Sequence, residues 1–281
     1  MIVFDHCKRD SINLNTIIDD ITIIKGEFND EEVLSNSLSD IDYVFHYIST
    51  TTPATAIHNP VYDIESNVIP TIKMLQIAVK SGVKKIIFPS SGGTIYGEVK
   101  KNPINELSPL NPQNPYAISK LAIEKYLDYY YKNYGLDYLI IRYSNPYGER
   151  QNPHGTQGVI PIFLNKIKNF ESPVIYGDGK SLRDYIYIKD AIDATLILMD
   201  LNKKESIYNV GSGIRTSLND LISVMQNVTG HSIFPRYVPN ERRYLSKIVL
   251  DISKIKKETG WNPTTNLDEG LRNTWKWINS I

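Results

Sequence analysis

The sequence predicts an α/β protein, a doubly wound parallel sheet with crossover helices and a smaller, less regular C-terminal lobe. Three observations carry this reading. Short β-rich runs alternate with amphipathic helical stretches through the first half. The strand runs are apolar at successive residues, as expected where helices cover both faces of a sheet. After Gly148 the rhythm gives way to loop-rich pieces such as QNPHGTQG, GDGK and PNERR. In chain order the strands are Ile2–Phe4, Thr22–Lys25, Tyr43–Ile48, Lys85–Phe88 and Tyr138–Arg142, with helical stretches at Glu31–Leu38, Val61–Lys80 and Lys120–Asn133 between them. Pro70 lies inside the second helical stretch and predicts a kink or restart, because proline lacks an N–H and its ring crowds the preceding turn. Ile207–Gly211 and Ser217–Val228 read as one more strand and helix of the first lobe. The lobes are therefore interleaved: 1–148 together with about 186–230, and 149–185 together with 231–281.

Composition narrows the function. With 281 residues, 41% hydrophobic and a formal net charge of +0, the chain is ordered and holds one large domain or two modest ones. Its 31 basic side chains are balanced by 31 acidic ones, which leaves no charge surplus for a nucleic-acid partner. The single cysteine, Cys7, makes neither an internal disulfide nor a zinc cluster by itself, so no metal is expected. MIVFDHCKRD turns charged too early for a signal peptide, and no run approaches the ~18 apolar residues of a membrane span. A cytoplasmic protein is expected.

Tyr-x-x-x-Lys occurs three times among the 19 tyrosines, at Tyr96/Lys100, Tyr116/Lys120 and Tyr185/Lys189. A helix carries the fourth neighbour ~6 Å along one face, whereas a strand carries it ~13 Å away. Tyr185 sits in the strand-like DYIYIK, and Tyr96 precedes Gly97 and Pro103 in a loop. Tyr116 opens a helix, with Asn114 as its cap and Pro115 at its first position. Taken alone, such a pair reads equally as an amphipathic core aromatic with a snorkelling lysine. The stretch FPSSGGTIYG, Phe88–Gly97, changes the balance: a buried strand runs into a hydroxyl- and glycine-rich turn, and α/β sheets bind ligands beyond the carboxyl ends of their strands. Ser90, Ser91 or Thr94 offers a hydroxyl there.

YAISK, SSGGTIYG, RYSNPYGERQ, VIYGDGKSLRDYIYIKD, YNVGSG and the tail VLDISKIKKETGWNPTTNLDEGL, in this order, resemble the extended short-chain dehydrogenase/reductases, specifically their nucleotide-sugar epimerase branch, over essentially the whole chain. The resemblance implies a Rossmann-like first lobe that binds NAD, a second lobe that binds a UDP-sugar, a homodimer through Val61–Lys80 and Pro115–Tyr134, and a role in surface polysaccharide precursor synthesis. It implies Tyr116 as general base and acid at a sugar hydroxyl, with Lys120 lowering its pKa and holding the cofactor ribose. Bringing a phenol from ~10 to near 7 takes ~3 pKa units, or ~4 kcal/mol, the top of the ~1–3 units one close cation supplies, so Lys120 alone is marginal and full tuning is expected only with the positive nicotinamide in place. Asp5 is implied at the adenosine ribose, Glu27 and Phe28 at the adenine side, and Tyr47, Ile48 and Ser49 under the middle of the cofactor. Ser66, Ser90 and Ser144 complete the cofactor set. Asn145, Arg183 and Arg242 are implied as nucleotide-sugar contacts, guanidinium forks being suited to diphosphate.

Two departures stand out. The family's catalytic Ser/Thr position, four residues before the tyrosine of the YG pair, is Gly92 here, which passes the hydroxyl role to Ser91 or Thr94. No Gly-x-x-Gly-x-x-Gly fingerprint occurs, and the chain opens where the family's second strand is expected, so a front piece of ~25 residues with the first strand is missing from the pattern. A 4,6-dehydratase would carry an Asp-Glu pair where Gly92, Gly93 and Thr94 stand, and a decarboxylase a Glu at Thr94. The remaining readings are a 4-epimerase, a 4-ketoreductase with the same Tyr/Lys pair, and an inactive relative with a binding role.

Overall fold

The structure is a computed structural model, and it describes residues 1–6, 12–99, 102–201, 203–204, 206–239 and 247–281. The chain forms β1 (Ile2–Asp5), a 3-10 helix (Ile12–Asp20), β2 (Thr22–Lys25), α1 (Glu31–Ser37), β3 (Tyr43–Phe45), α2 (Pro53–Ala56), α3 (Pro60–Asp63), a π-helical turn (Ile64–Val68), α4 (Ile69–Lys80), β4 (Lys85–Ser91), α5 (Pro115–Tyr134) and β5 (Asp137–Tyr143). There follow β6 (Asn145–Tyr147), α6 (Val159–Lys168), β7 (Val174–Tyr176), β8 (Leu182–Arg183), β9 (Tyr185–Tyr187), α7 (Ile188–Asp200), β10 (Ser206–Val210), β11 (Thr216–Ser217), α8 (Leu218–Thr229), β12 (Arg236–Val238), α9 (Ser253–Thr259) and α10 (Leu267–Ser280).

The apolar runs become parallel strands in two separate sheets. One has four strands in the order β10-β5-β4-β3; the other is the pair β1-β2. β3 and β4 are parallel with Tyr43 opposite Lys85, and β1 and β2 are parallel with Ile2 opposite Thr22. Among the described residues, β1 has β2 and β3 has β4 as its one strand partner, and the parallel strands alternating with helices are the α/β architecture read from the sequence. Ile86, Ile87 and Phe88 on β4 and Leu139, Ile140 and Ile141 on β5 are almost wholly buried, as strands covered on both faces must be.

Two details correct the sequence reading. The strand expected over Tyr43–Ile48 ends at Phe45, because His46 turns its ring into the core between Phe28 and Phe88, with centroids at 5.3 and 5.6 Å. Its backbone N–H still donates to the Ile87 carbonyl, and its Nε2 pairs with Thr71 Oγ1 at 2.8 Å. At Pro70 the helix does not simply restart. Pro70 has no N–H for the carbonyl one turn back, and the preceding turn widens so that the Ile69 N–H reaches the Ile64 carbonyl.

The contacts divide the chain into two compact units. The first is Met1–Pro89 with Asn114–Ile140 and Lys203–Ser206; the second is Ser90–Gln113 with Ile141–Asn202 and Ile207–Ile281. The core of the second unit joins α6, α8 and α10 through Phe163, Leu164, Leu221, Met225, Leu271 and Ile278. Among the described residues, no helix is long and apolar enough to cross a membrane.

Burial holds the His46 imidazole down at about 3, with the Lys120 charge adding to the effect. In the unfolded chain His46 takes up its proton near 6.5, so stability falls as pH drops from about 6.5 towards 3, by up to ~1.4 kcal/mol per pH unit. Urea midpoints across this range show that slope in the native chain, and His46→Gln, which keeps a partner for Thr71, removes it. Gly97 gives a second expectation. Its φ is +64°, and a Cβ there would stand 2.0 Å from the Asn111 carbonyl oxygen, so Gly97→Ala lowers unfolding stability by more than about 2 kcal/mol.

Candidate active site

The first turn of α5 is set by its own residues. Asn114 Oδ1 accepts the Ala117 N–H at 2.9 Å, and Pro115 fills the first position, where a missing N–H costs no hydrogen bond. Helical spacing then puts Tyr116 and Lys120 on one face, with the ammonium 5.7 Å from the centre of the Tyr116 ring. Lys120 is 7% exposed. Its ammonium donates to the Pro89 carbonyl at 3.0 Å and lies 4.7 Å from the centre of the Phe88 ring. The Tyr185/Lys189 pair lacks this arrangement, with Tyr185 in β9 and Lys189 in the following helix; Lys100, the partner of Tyr96 in the remaining pair, lies outside the described residues.

One narrow cleft is lined by Ile48, Ser49 and Thr51 from the loop after β3, by Asp63 and Asn67, and by Tyr116, Ser119 and Lys120 of α5. Burial pushes the Tyr116 phenol up to about 12, with the Asp63 carboxylate adding to the rise. Burial also pulls Lys120 down to about 8, against the opposing pull of Asp63 and Glu124. The expected lowering of the Tyr116 pKa belongs to the state with the positive nicotinamide in place; in the chain alone one donor of the ammonium goes to Pro89. In the chain alone the Tyr116 phenol is therefore neutral at pH 7.

Most other residues of the predicted cofactor set in this unit follow strand ends, the usual ligand side of a parallel sheet, and Ser66 lies in the π-helical turn. Asp5 closes β1 with its side chain half exposed, and its carbonyl accepts the Gly26 N–H at 3.2 Å. Glu27 and Phe28 follow β2. Tyr47 is exposed and stacks on Phe45 at 6.5 Å. Ser49 Oγ donates to the Thr51 carbonyl at 3.1 Å, and Ser66 Oγ shares a 2.6 Å hydrogen bond with Thr50 Oγ1.

In the second unit, Thr94 Oγ1 donates to Ser91 Oγ at 2.9 Å, so the two candidate hydroxyls form a pair. The glycine at 92 has a steric cause: a Cβ would lie 2.6 Å from Leu250 Cδ1 and 3.0 Å from the Arg142 carbonyl oxygen. Ser90 and Ser144 are buried, and Ser144 Oγ has no hydrogen-bond partner among the described residues. Asn145 Nδ2 donates to the Asp184 carbonyl at 2.8 Å, and Arg183 to the Leu182 carbonyl at 2.9 Å. Arg242 lies outside the described residues.

Sequence reasoning missed the groups that hold these side chains. The Asp184 carboxylate, wholly buried, accepts the N–H groups of Ser212, Gly213 and Leu250 and the Ser212 hydroxyl. Arg142 donates to the Tyr96 hydroxyl at 3.0 Å, which in turn donates to Asn209 Oδ1 at 2.7 Å. Asp63 was missed as well. The signal for Asp184 was its place beside Arg183 in SLRDYIYIKD; no local signal marked the other two.

The sequence profile of the NAD dependent epimerase/dehydratase family matches residues 5–211. Among solved structures, the UDP-glucose 4-epimerase of Thermotoga maritima with UDP-glucose has a TM-score of 0.94 at 35% identity, covering 99% of this chain and 90% of that chain. The UDP-glucose 4-epimerase of Thermus thermophilus in complex with NAD has a TM-score of 0.90 at 30% identity, with the same coverage of 99% and 90%. A dTDP-4-dehydro-6-deoxyglucose reductase of Escherichia coli is 37% identical over 235 residues, 84% of this chain and 74% of the relative. The profile takes in well over half of the sequence, and it includes the helix with Tyr116 and Lys120; the chain belongs to the NAD dependent epimerase/dehydratase family.

Proposed function

We propose that the chain is a nucleotide-sugar 4-epimerase of the UDP-glucose or UDP-N-acetylglucosamine type, working with tightly bound NAD in surface polysaccharide precursor synthesis in the cytoplasm. The observation that carries this reading is the buried Tyr116/Lys120 pair at the start of α5, in a chain so similar in fold to UDP-glucose 4-epimerases.

The residues present fit the two ends of NAD. Lys120 is buried and uses one of its three N–H donors on Pro89, which leaves donors for ribose hydroxyls. Asp5 stands at the end of β1 with its carboxylate accessible to adenosine hydroxyls. Glu27 and Phe28 are assigned to the adenine side, Tyr47, Ile48, Ser49 and Ser66 to the middle, and Ser90 with the Ser144 hydroxyl, which has no hydrogen-bond partner among the described residues, to the remaining polar contacts. The 281 residues contain no Gly-x-x-Gly-x-x-Gly turn, and no residue is assigned to the diphosphate. NAD, when bound, supplies a hydride acceptor for the sugar's fourth carbon and a positively charged nicotinamide ring.

Tyr116 takes the proton of the sugar 4-hydroxyl and later returns it; with the phenol held at about 12 by burial, it does so only beside added positive charge. Ser91 and Thr94 are assigned to hydrogen-bond the sugar, and Asn145 and Arg183 to hold the nucleotide-sugar. Exposed apolar residues at Val61, Tyr62, Ile64 and Ile69, and on α5 at Ile118, Tyr126 and Tyr129, are assigned to the interface of a homodimer. The 37% identity with a 4-dehydro-sugar reductase favours one second reading, a 4-ketoreductase, which uses the same pair and releases spent cofactor.

Incubation with UDP-galactose gives UDP-glucose, read by NMR, without net change in nicotinamide absorbance; net oxidation of NADPH by a 4-keto sugar nucleotide would establish the reductase instead. Tyr116→Phe lowers kcat by about 10²–10⁴-fold and leaves retained NAD unchanged. Sedimentation shows a dimer that Ile64→Arg converts to monomer.

A further inference from the structure

We propose that Asp63 is a positioning residue of this site: a buried, fixed negative charge that ties the loop after β3 to α5 and keeps Lys120 in its charged form. The proposal rests on the reading of Tyr116 and Lys120 as the catalytic pair.

Asp63 is the last residue of α3 and is 1% exposed. The Thr51 hydroxyl donates to its Oδ1 and the Ser119 hydroxyl to its Oδ2, while Asn67 Nδ2 reaches Oδ1 at 3.4 Å. Three chain segments thus converge on one carboxylate: the loop after β3, the π-helical turn, and α5 one residue before Lys120. Every one of these donors is neutral, and among the described residues no lysine, arginine or histidine lies within ion-pair distance of Asp63. A desolvated carboxylate held by neutral donors keeps an uncancelled field. That field acts on the groups lining the same cleft, Tyr116 and Lys120.

The other titratable groups that act on Lys120 are few. His46, at the end of β3, is held neutral by burial. Glu124, one turn further along α5, is buried and supplies a second, lesser attraction. Tyr116 is neutral in the chain alone. Asp63 heads the attractions that oppose the burial of Lys120. The magnitude decides why this matters: at about 8, Lys120 is roughly ten parts charged to one neutral at pH 7. With its pKa at about 7 instead, it would be only half charged at that pH. The same field disfavours the Tyr116 phenolate. The site therefore keeps the lysine charged and leaves the phenol to be drawn down by a charge that arrives from outside the chain.

A purely structural role needs only an acceptor, and asparagine supplies one at nearly the same size. The test is the titration of Lys120 by ¹³C NMR of lysine side chains, with Lys120→Arg identifying the resonance, in the native chain, Asp63→Asn and Glu124→Gln. Asp63→Asn moves the Lys120 midpoint down by about one pH unit, and Glu124→Gln moves it less. A folded Asp63→Asn with an unmoved midpoint, or a larger shift in Glu124→Gln, overturns the proposal. Should Asp63→Asn not fold, Ser119→Ala decides, because it removes one donor and keeps the charge: Lys120 stays or rises under the proposal, and a fall overturns it. The titration needs no substrate, so the expected shift in a protein without epimerase activity sinks the catalytic reading alone. An active epimerase without the shift sinks the role of Asp63 alone.

Discussion

The hydrogen bond from the Lys120 ammonium to the Pro89 carbonyl, 3.0 Å long and buried, is the constraint on which the first unit is arranged. Proline in a strand gives up its N–H, yet its carbonyl still needs a partner where water is excluded. Here that partner comes from a helix. The bond draws α5 onto the end of β4, lays the lysine stem against Phe88, and fixes where Tyr116 points. Removing water from a cation is costly, and among the described residues a carbonyl, an aromatic face and two nearby carboxylates offset it, with no direct ion pair.

Local features were legible in the sequence because local chemistry determines them. Asn114 and Pro115 announce the start of α5, and successive apolar residues announce β4 and β5. Pro70 marked the right place for an irregularity, but its π-helical form depends on where the Ile64 carbonyl could find a donor. The Tyr116/Lys120 pair could be singled out because helical spacing is a local property. Asp63 could not. Its partners are 12 and 56 residues away in sequence, and only the folded chain shows that one carboxylate takes both hydroxyls. Gly92 is a similar case. The sequence shows a missing hydroxyl, whereas the fold shows Leu250 and the Arg142 carbonyl occupying the space a side chain would need.

The second unit solves a comparable problem with different means. Asp184 is a buried carboxylate surrounded by backbone N–H groups, and it organises the segments at Ser212–Gly213 and Leu250 around itself. Burial nevertheless raises its pKa, the donors opposing that rise. Gly211 follows from the same packing, because a Cβ there would lie 2.5 Å from Asp184 Oδ2. Asn145 takes its orientation from the Asp184 carbonyl, so a side chain and a main-chain atom of one residue serve two different neighbours.

The strand β3 carries a further consequence. It borders its sheet with β4 on one side, and its Tyr43 and Phe45 are nearly half exposed, with Tyr47 just beyond. Tyr43–Phe45 contains none of the lysines or prolines that commonly blunt a strand edge. Aromatic rings rather than charges therefore flank this strand where it meets solvent.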